Sequence, residues 1–355
     1  MSDTMYRIGI VGASSLAGKE LNDVLAESAL AAADFALMDD DADMGKLETV
    51  GDEVTFIQRI EPGSFERMDF AFFAGDGEAT RKHWQNALRA GASIVDMTYA
   101  LENENRVLVR APWVTELLNQ NTQDAAVLAD FPPDLKTQAV VPAHPAAVML
   151  ALVMARLGAT LPLRSMAATV MEPASQHGRA AMDELHQQTV SLLSFQSLPR
   201  EQYDAQVTFN LLPSLGEAAK VRLAATDKRV REHYALLSGG RLPELALQLV
   251  QAPAFHGYVA AVMVEFAETV AVERVEQALQ SEYTDVVMDE SDPPSNLSAA
   301  GQDDILVRVR PEPPGSLQTS RYWLWLAADN LKLGARNAIA CAQELRRLRP
   351  QGKVQ

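Results

Sequence analysis

The chain has 355 residues, 48% of them hydrophobic and 22% charged, which is room for roughly two domains of about 150 residues each and for a large buried core. Aspartate and glutamate outnumber lysine and arginine by 47 to 31, a formal charge of −16 that repels nucleic-acid phosphates and anionic membrane surfaces. A single cysteine, Cys341, excludes an intrachain disulfide and a cysteine-built metal site, so a reducing cytoplasm is the expected compartment.

Tyr6–Gly12 (YRIGIVG) reads as a buried strand rather than a signal peptide, and Ala17–Ser28 as a helix with Leu21 and Leu25 at helical spacing. With the small-residue loop between them they form half of a βαβ unit. Short apolar runs at Phe35–Met38, Asp69–Ala74 and Ser93–Val95, the last two separated by a helical stretch from Glu78 to Ala90, continue the alternation of a parallel sheet. The first part of the chain, about 130 residues, is therefore Rossmann-like in pattern. After Val140-Val141 the pattern changes to a helix near Ala146–Leu157, a strand at Ser165–Met171 and a helix over Gly178–Leu193. Strands are then expected near Gln206–Leu211, Leu245–Phe255 and Tyr258–Phe266, which predicts an α+β second domain on a mixed or antiparallel sheet. Asp289–Ser316, rich in Asp, Pro, Ser and Gly, reads as loop broken by a strand at Ile305–Val309. A last strand at Trp323–Ala327 and a last helix at Leu331–Leu348 follow. No apolar run reaches the roughly 18–20 residues of a membrane span.

The loop Gly12-Ala13-Ser14-Ser15-Leu16-Ala17-Gly18 lies between strand and helix, where backbone N–H groups cradle a pyrophosphate. Its middle glycine is replaced by Ser15, so a plain strand-to-helix turn is the competing reading. At the end of the second strand, Asp39-Asp40-Asp41-Ala42-Asp43 repels a 2′-phosphate and favours NAD over NADP, against a solvated acidic loop without a ligand. Of the six histidines, His83 and His186 fall in helical stretches as surface or packing residues, and His233 lies in a charged, exposed-looking helix. None pairs at HxxxH or HxH spacing, so no metal site is expected. His144, His177 and His256 lie at element junctions, where catalytic groups sit.

Seven segments, in order, resemble the aspartate-β-semialdehyde dehydrogenase family: IGIVGASSLAG, DFAFFAGDGEAT, GASIVDMT, HGRAAMDELHQQT, FNLLPSLG, APAFHGYVAAVMVEF and WLWLAADNLKLGARNAI. The resemblance implies a Rossmann-like domain completed by the C-terminal helix (residues 1–133 plus 328–355) and an intervening α+β domain (134–327) that forms a homodimer. It also implies reductive dephosphorylation of aspartyl phosphate with NADPH, or the reverse, through a cysteine thioester, with a histidine base and an arginine holding the substrate carboxylate. Position by position, the family's cysteine corresponds to His144 in Val141-Pro142-Ala143-His144-Pro145, its glutamine to Glu172, its arginine to Gln251 and its histidine to Tyr258. An acyl-imidazole hydrolyses easily, a carboxylate at 172 opposes an acidic substrate, and a tyrosine with a pKa near 10 is a weak base at neutral pH. Cys341, in the apolar stretch Ile339-Ala340-Cys341-Ala342, reads as an inert core thiol.

Gly12, Gly18, Gly75, Asp329, Asn330, Gly334 and Asn337 match family positions that shape the fold or touch the cofactor. The cofactor positions in this register are Gly12, Ser14, Ser15, Leu16, Gly18, Asp39, Gly75 and Asn337. The expectation is a catalytically inactive homologue with a scaffolding, regulatory or ligand-binding role, without a cofactor, and with NAD ahead of NADP if one binds. Two alternatives stay open: a non-thiol enzyme using His144, Glu172, His177, Tyr258 or His256, and a dehydrogenase that persists through Cys341.

Overall fold

A computed structural model describes residues 6–31, 34–39, 47–50, 53–120 and 132–348. In chain order the elements are β1 (Arg7–Val11), α1 (Leu16–Ala26), β2 (Asp34–Asp39), β3 (Leu47–Val50), β4 (Glu53–Phe56), β5 (Gln58–Arg59), β6 (Phe70–Phe73), α2 (Gly77–Arg89), β7 (Ser93–Asp96), β8 (Val107–Arg110), α3 (Pro112–Gln120) and β9 (Ala139–Pro142). They continue with α4 (Pro145–Gly158), β10 (Leu163–Glu172), α5 (Arg179–Leu193), α6 (Leu223–Ser238), β11 (Leu245–Gln251), β12 (Tyr258–Ala271), α7 (Val272–Leu279), β13 (Thr284–Val286), β14 (Ile305–Glu312), β15 (Gln318–Ala328) and α8 (Asn330–Arg346). The chain divides into two compact units, one of Met1–Pro112, Phe131–Ala143 and Gly334–Gln355, the other of Trp113–Asp130 and His144–Leu333.

The first unit holds a seven-stranded sheet in the order β5-β2-β1-β6-β7-β9-β8, with every paired neighbour parallel. Parallel strands covered on both faces have no polar side, and Phe70–Phe73 is accordingly buried at every position. On one face Ile8, Ile10, Leu21 and Leu25 pack with Ala335, Ala338, Ile339 and Ala342 of α8. On the other, Phe65, Trp84 and Ala87 cover Phe73 and Ile94. The unit is thus a Rossmann-like doubly wound sheet completed by the last helix. One face of α8 also docks on the end of β8. There Asn337 donates to the carbonyl of Arg110 (3.1 Å), the Cys341 thiol reaches the same carbonyl (3.8 Å), and Glu344 takes the Arg110 guanidinium through two bonds (2.6 and 3.0 Å). Burial pushes the Cys341 thiol well up from its ordinary value, as a core thiol requires.

The second unit is built on a mixed six-stranded sheet, β11-β10-β12-β15-β14-β13. β10–β11 and β13–β14 are parallel, and the other neighbours are antiparallel. Helix α4 is apolar all round and buried from Pro145 to Ala155, the signature of a core helix. Its 14 residues extend about 21 Å, short of the ~30 Å of a bilayer core. Among the described residues no helix is long and apolar enough to cross a membrane. Along β12 and β15 one set of alternate residues, Val262, Val264, Leu324 and Leu326, is fully buried. The opposite set, Ala261, Met263, Trp323 and Trp325, forms a broad open face.

Three expectations are corrected. Gln206–Leu211 is no strand, because the Gln188 side chain accepts from the N–H groups of Val207 and Thr208 (2.8 and 3.3 Å), taking donors that a sheet ladder needs. The strand expected to run to Phe255 stops at Gln251, which leaves His256 in the loop before β12. His233 is buried, on the stripe Thr226, Val230, His233 and Leu237 of α6, and not exposed.

Candidate functional site

The expected cofactor loop sits where the strand order of the parallel sheet reverses, between β1 and β6, the place where open α/β sheets bind ligands. Gly12 has φ +82°, and a Cβ there would lie 2.2 Å from the Cα of Gly75; one on Gly18 would lie 2.2 Å from the Gly12 carbonyl oxygen. These three glycines are therefore demanded by backbone packing, whatever they touch besides. Ser15 caps α1: its hydroxyl donates to the Ala74 carbonyl (2.8 Å) and accepts from the Gly18 N–H (2.9 Å). Ser14 donates both its N–H (2.9 Å) and its hydroxyl (2.6 Å) to the carboxylate of Asp39. Leu16 opens α1 at this loop, and a helix N-terminus favours an anion. Asp40, Asp41 and Asp43 lie outside the described residues.

Asn337 is fully buried, and both N–H bonds of its amide are directed at main-chain carbonyls, of Arg110 (3.1 Å) and Ala143 (3.4 Å). Its Oδ1 is left without a hydrogen-bond partner among the described residues. A buried acceptor in that state fits an N–H donor such as a carboxamide. The helix N-terminus and the Asp39 carboxylate are the features of a dinucleotide-type site.

The four positions matched to catalytic residues are all in the second unit and all buried: His144 at 1% exposure, and Glu172, Gln251 and Tyr258 at 0%. His144 belongs to a polar network whose directions can be read from one fixed donor. The Gly257 N–H donates to Asn330 Oδ1 (3.0 Å), joined there by the Ser175 hydroxyl (3.1 Å). The Asn330 amide nitrogen must then donate to Gln176 Oε1 (3.2 Å), which turns the Gln176 amide nitrogen toward His144 Nε2 (3.3 Å). An amide nitrogen only donates, so Nε2 is the unprotonated nitrogen of His144 and its lone pair is already engaged. The His144 main-chain N–H, at the start of α4, donates to His233 Nδ1 (2.9 Å). Burial first, and then the neighbouring His233, Arg229 and His177, hold the His144 pKa well below its ordinary value.

The remaining positions are less fully paired: Glu172 Oε1 and Oε2 and Gln251 Oε1 have no hydrogen-bond partner among the described residues. Gln251 donates its amide protons to the carbonyls of Glu172 (3.0 Å) and Ala252 (3.1 Å), leaving none for the two-pronged grip of an arginine on a carboxylate. The Tyr258 ring lies 6.1 Å from that of His144. Burial raises Glu172 to about 8, and burial lowers His177, whose Nε2 is 3.4 Å from Glu172 Oε1, to about 4. Near pH 7 the two therefore hold one proton between them, a neutral pair rather than an ion pair.

The structure thus brings His144, Glu172, His177, Gln251 and Tyr258 into one cluster and leaves His256 in a loop. Cys341 sits in the core of the first unit on the carbonyl of Arg110. Sequence reasoning missed Gln176 and His233. The signal for His233 was its spacing from Val230 and Leu237 on one face of a helix. For Gln176 it was a long polar side chain at a position where the resembled family has glycine.

Two family models match the chain: a semialdehyde dehydrogenase NAD binding domain over residues 7–126 and a semialdehyde dehydrogenase dimerisation domain over residues 155–333. The first runs against the expectation that no cofactor is bound. A protein of Rickettsia bellii named aspartate-semialdehyde dehydrogenase is 25% identical over 345 residues, 96% of this chain and 97% of that protein. A protein of Pseudomonas aeruginosa named USG-1 protein homolog is 29% identical over 341 residues, 95% and 97% of the two chains. The solved structure of a probable aspartate-semialdehyde dehydrogenase from Pseudomonas aeruginosa superposes with a TM-score of 0.81 at 26% identity, covering 96% of this chain and 98% of that one.

Proposed function

The chain belongs to the semialdehyde dehydrogenase family, and from that premise we propose a dinucleotide-binding, homodimeric homologue that does not carry out the family's thiol chemistry and acts as a scaffolding or regulatory protein. The observation that carries this reading is the engaged lone pair of His144. The residue at the cysteine position is neither a thiol nor a free imidazole, since Gln176 occupies its only unprotonated nitrogen. An inactive site filled with apolar residues would support the same conclusion; here the hydrogen bond from Gln176 to the imidazole supports it.

For the cofactor, the first turn of α1 would hold the pyrophosphate and Asp39 the ribose hydroxyls. NAD supplies a hydride acceptor when bound. The carboxylate at 39 weighs against NADP, whose 2′-phosphate it repels. For the dimer, the open face of Ala261, Met263, Trp323 and Trp325 lies within the residues matched to a dimerisation domain. It includes a groove of about 900 Å³ that Trp323 and Trp325 line together with Pro293, Pro294 and Pro311. An apolar face of this width is a surface that a two-fold partner covers.

The test combines calorimetry with NAD and NADP and an assay of phosphate-dependent oxidation of aspartate semialdehyde by the purified protein. NAD binding without NADP binding, and no turnover, are expected; turnover with either nucleotide overturns the reading. A second reading, an oxidoreductase without thiol chemistry, draws on the neutral Glu172–His177 pair as an acid and a base in contact. It requires NADH formation from some aldehyde, lost in His177→Ala.

A further inference from the structure

Strands β10 and β11 run parallel with Glu172 and Gln251, the last residue of each, in register, so the two side chains leave the end of the sheet side by side on one face. Both are wholly buried. The Gln251 amide nitrogen is fixed by the carbonyls of Glu172 (3.0 Å) and Ala252 (3.1 Å), which leaves Oε1 as an acceptor without a partner. Neither carboxyl oxygen of Glu172 has a hydrogen-bond partner, and its ion-pair neighbour among the described residues is His177, whose Nε2 lies 3.4 Å from Oε1. The Tyr203 hydroxyl is wholly buried and unpartnered as well; burial first, and then the nearby Glu184 and Glu172, push its pKa up. Of these four side chains only His177 reaches the surface, at 12% exposure.

What the cluster lacks is a positively charged donor. Gln251 Oε1 only accepts, an ionised Glu172 only accepts, and no lysine or arginine belongs to the group. Polar atoms buried in that state mark a missing partner. A metal ion does not supply it: among the described residues no three His, Cys, Asp or Glu side chains are grouped to hold one. One carboxylate, an amide oxygen and a hydroxyl also fall short of the roughly six to eight oxygens around a calcium ion. A primary ammonium group does supply it. Its N–H donors match the Glu172, Gln251 and Tyr203 oxygens, and its charge takes the place of the proton that keeps Glu172 neutral. A carboxylate or phosphate on the same ligand would bring a negative charge with no guanidinium in the cluster to meet it.

We propose that Glu172, Gln251 and Tyr203 form a binding site for a small primary amine, taken up as its ammonium ion and carrying no acid group, with His177 at the mouth. The inference goes beyond the reading above, which gives these residues no ligand, and it holds whether or not a dinucleotide binds or the chain dimerises. The site is opposite in sign to one for a substrate carboxylate. Burial of all three oxygens limits the ligand to an ammonium head on a short chain that leads out past the imidazole.

The experiment is calorimetry of the full chain with methylammonium chloride at constant ionic strength, buffered above the Glu172 value of about 8 so that the carboxyl is ionised. Glycine, which adds a carboxylate to the same head, tetramethylammonium, which has no N–H, and potassium are the comparison ligands. Methylammonium binds the wild type about tenfold or more tighter than any of the three, and Glu172→Gln weakens it by about tenfold or more. Methylammonium also raises the melting temperature of the wild type and not that of the variant. Should Glu172→Gln fail to fold, Tyr203→Phe, which removes only an unpartnered hydroxyl, carries the test with a loss of about threefold or more. No methylammonium binding, or binding that the folded variants leave unchanged, overturns the site. Glycine, tetramethylammonium or potassium binding as tightly overturns the assignment of the ligand. Turnover of aspartate semialdehyde bears on the earlier reading alone.

Discussion

Glu172→Gln puts at position 172 the residue that the family resemblance expects there, and its effect on stability follows from proton counting. The folded Glu172–His177 pair binds one proton from about pH 4 to about pH 8. In the unfolded chain the same groups titrate at their ordinary values of 4.5 and 6.5. They therefore carry one proton between these values and none above 6.5. From 4.5 to 6.5 folded and unfolded states bind equally, and the pair adds no pH dependence. From 6.5 to 8 the folded state holds a proton that the unfolded state has lost, so stability falls as pH rises. At about 1.36 kcal/mol per unit the loss over that interval is ~2 kcal/mol. In Glu172→Gln only the depressed His177 remains. Its folded pKa lies below its unfolded one, so its contribution falls as pH drops from 6.5 toward 4 and is constant above 6.5. Urea denaturation followed by tryptophan fluorescence at half-unit steps from pH 4 to 9 reads both profiles. The wild type loses ~2 kcal/mol between pH 6.5 and 8 relative to the variant, with the variant as control for every other titrating group. Parallel profiles above pH 6.5 would refute the shared-proton assignment and the burial argument behind it.

Asp39→Ser removes the carboxylate that Ser14 holds; NAD affinity measured by calorimetry should fall roughly tenfold, and NADP should rise into the same range. Gly12→Ala sets a methyl group 2.2 Å from the Gly75 Cα at φ +82°, and thermal melting should show a loss of about 3 kcal/mol or more. Arg110→Met leaves the partly buried Glu344 carboxylate without its two hydrogen bonds, which should cost about 3 kcal/mol or more in denaturant titrations.

The parallel sheet was legible because its cues are local. YRIGIVG, the small-residue loop and the Leu21, Leu25 spacing specify strand, turn and helix within some twenty residues, and DFAFFA can only be a strand covered on both faces. The stretch after α5 was not legible, since Gln206–Leu211 has the composition of a strand and loses that conformation to one side chain, Gln188, from a helix already completed. Tertiary hydrogen bonds overrode propensity there. The substituted positions His144, Glu172, Gln251 and Tyr258 could be named from register alone, but their states could not. That Nε2 of His144 is the unprotonated nitrogen depends on a chain of amides reaching back to a main-chain N–H more than a hundred residues away in sequence.

The docking of α8 bears on the order in which this molecule is made. Ile8 and Ile10, the first apolar residues of the sheet, find their cover in Ala335, Ala338 and Ile339, and Tyr6 meets Arg346 through a hydrogen bond of 2.8 Å. During synthesis the early strands emerge long before the helix that seals them. The second unit, whose residues end at Leu333, is synthesised first. A growing chain therefore carries an unfinished sheet past the whole of its neighbour, the situation in which transient apolar surface attracts chaperones. Ribosome-bound chains stalled before Gly334 should be captured at the N-terminal strands and released once α8 is out.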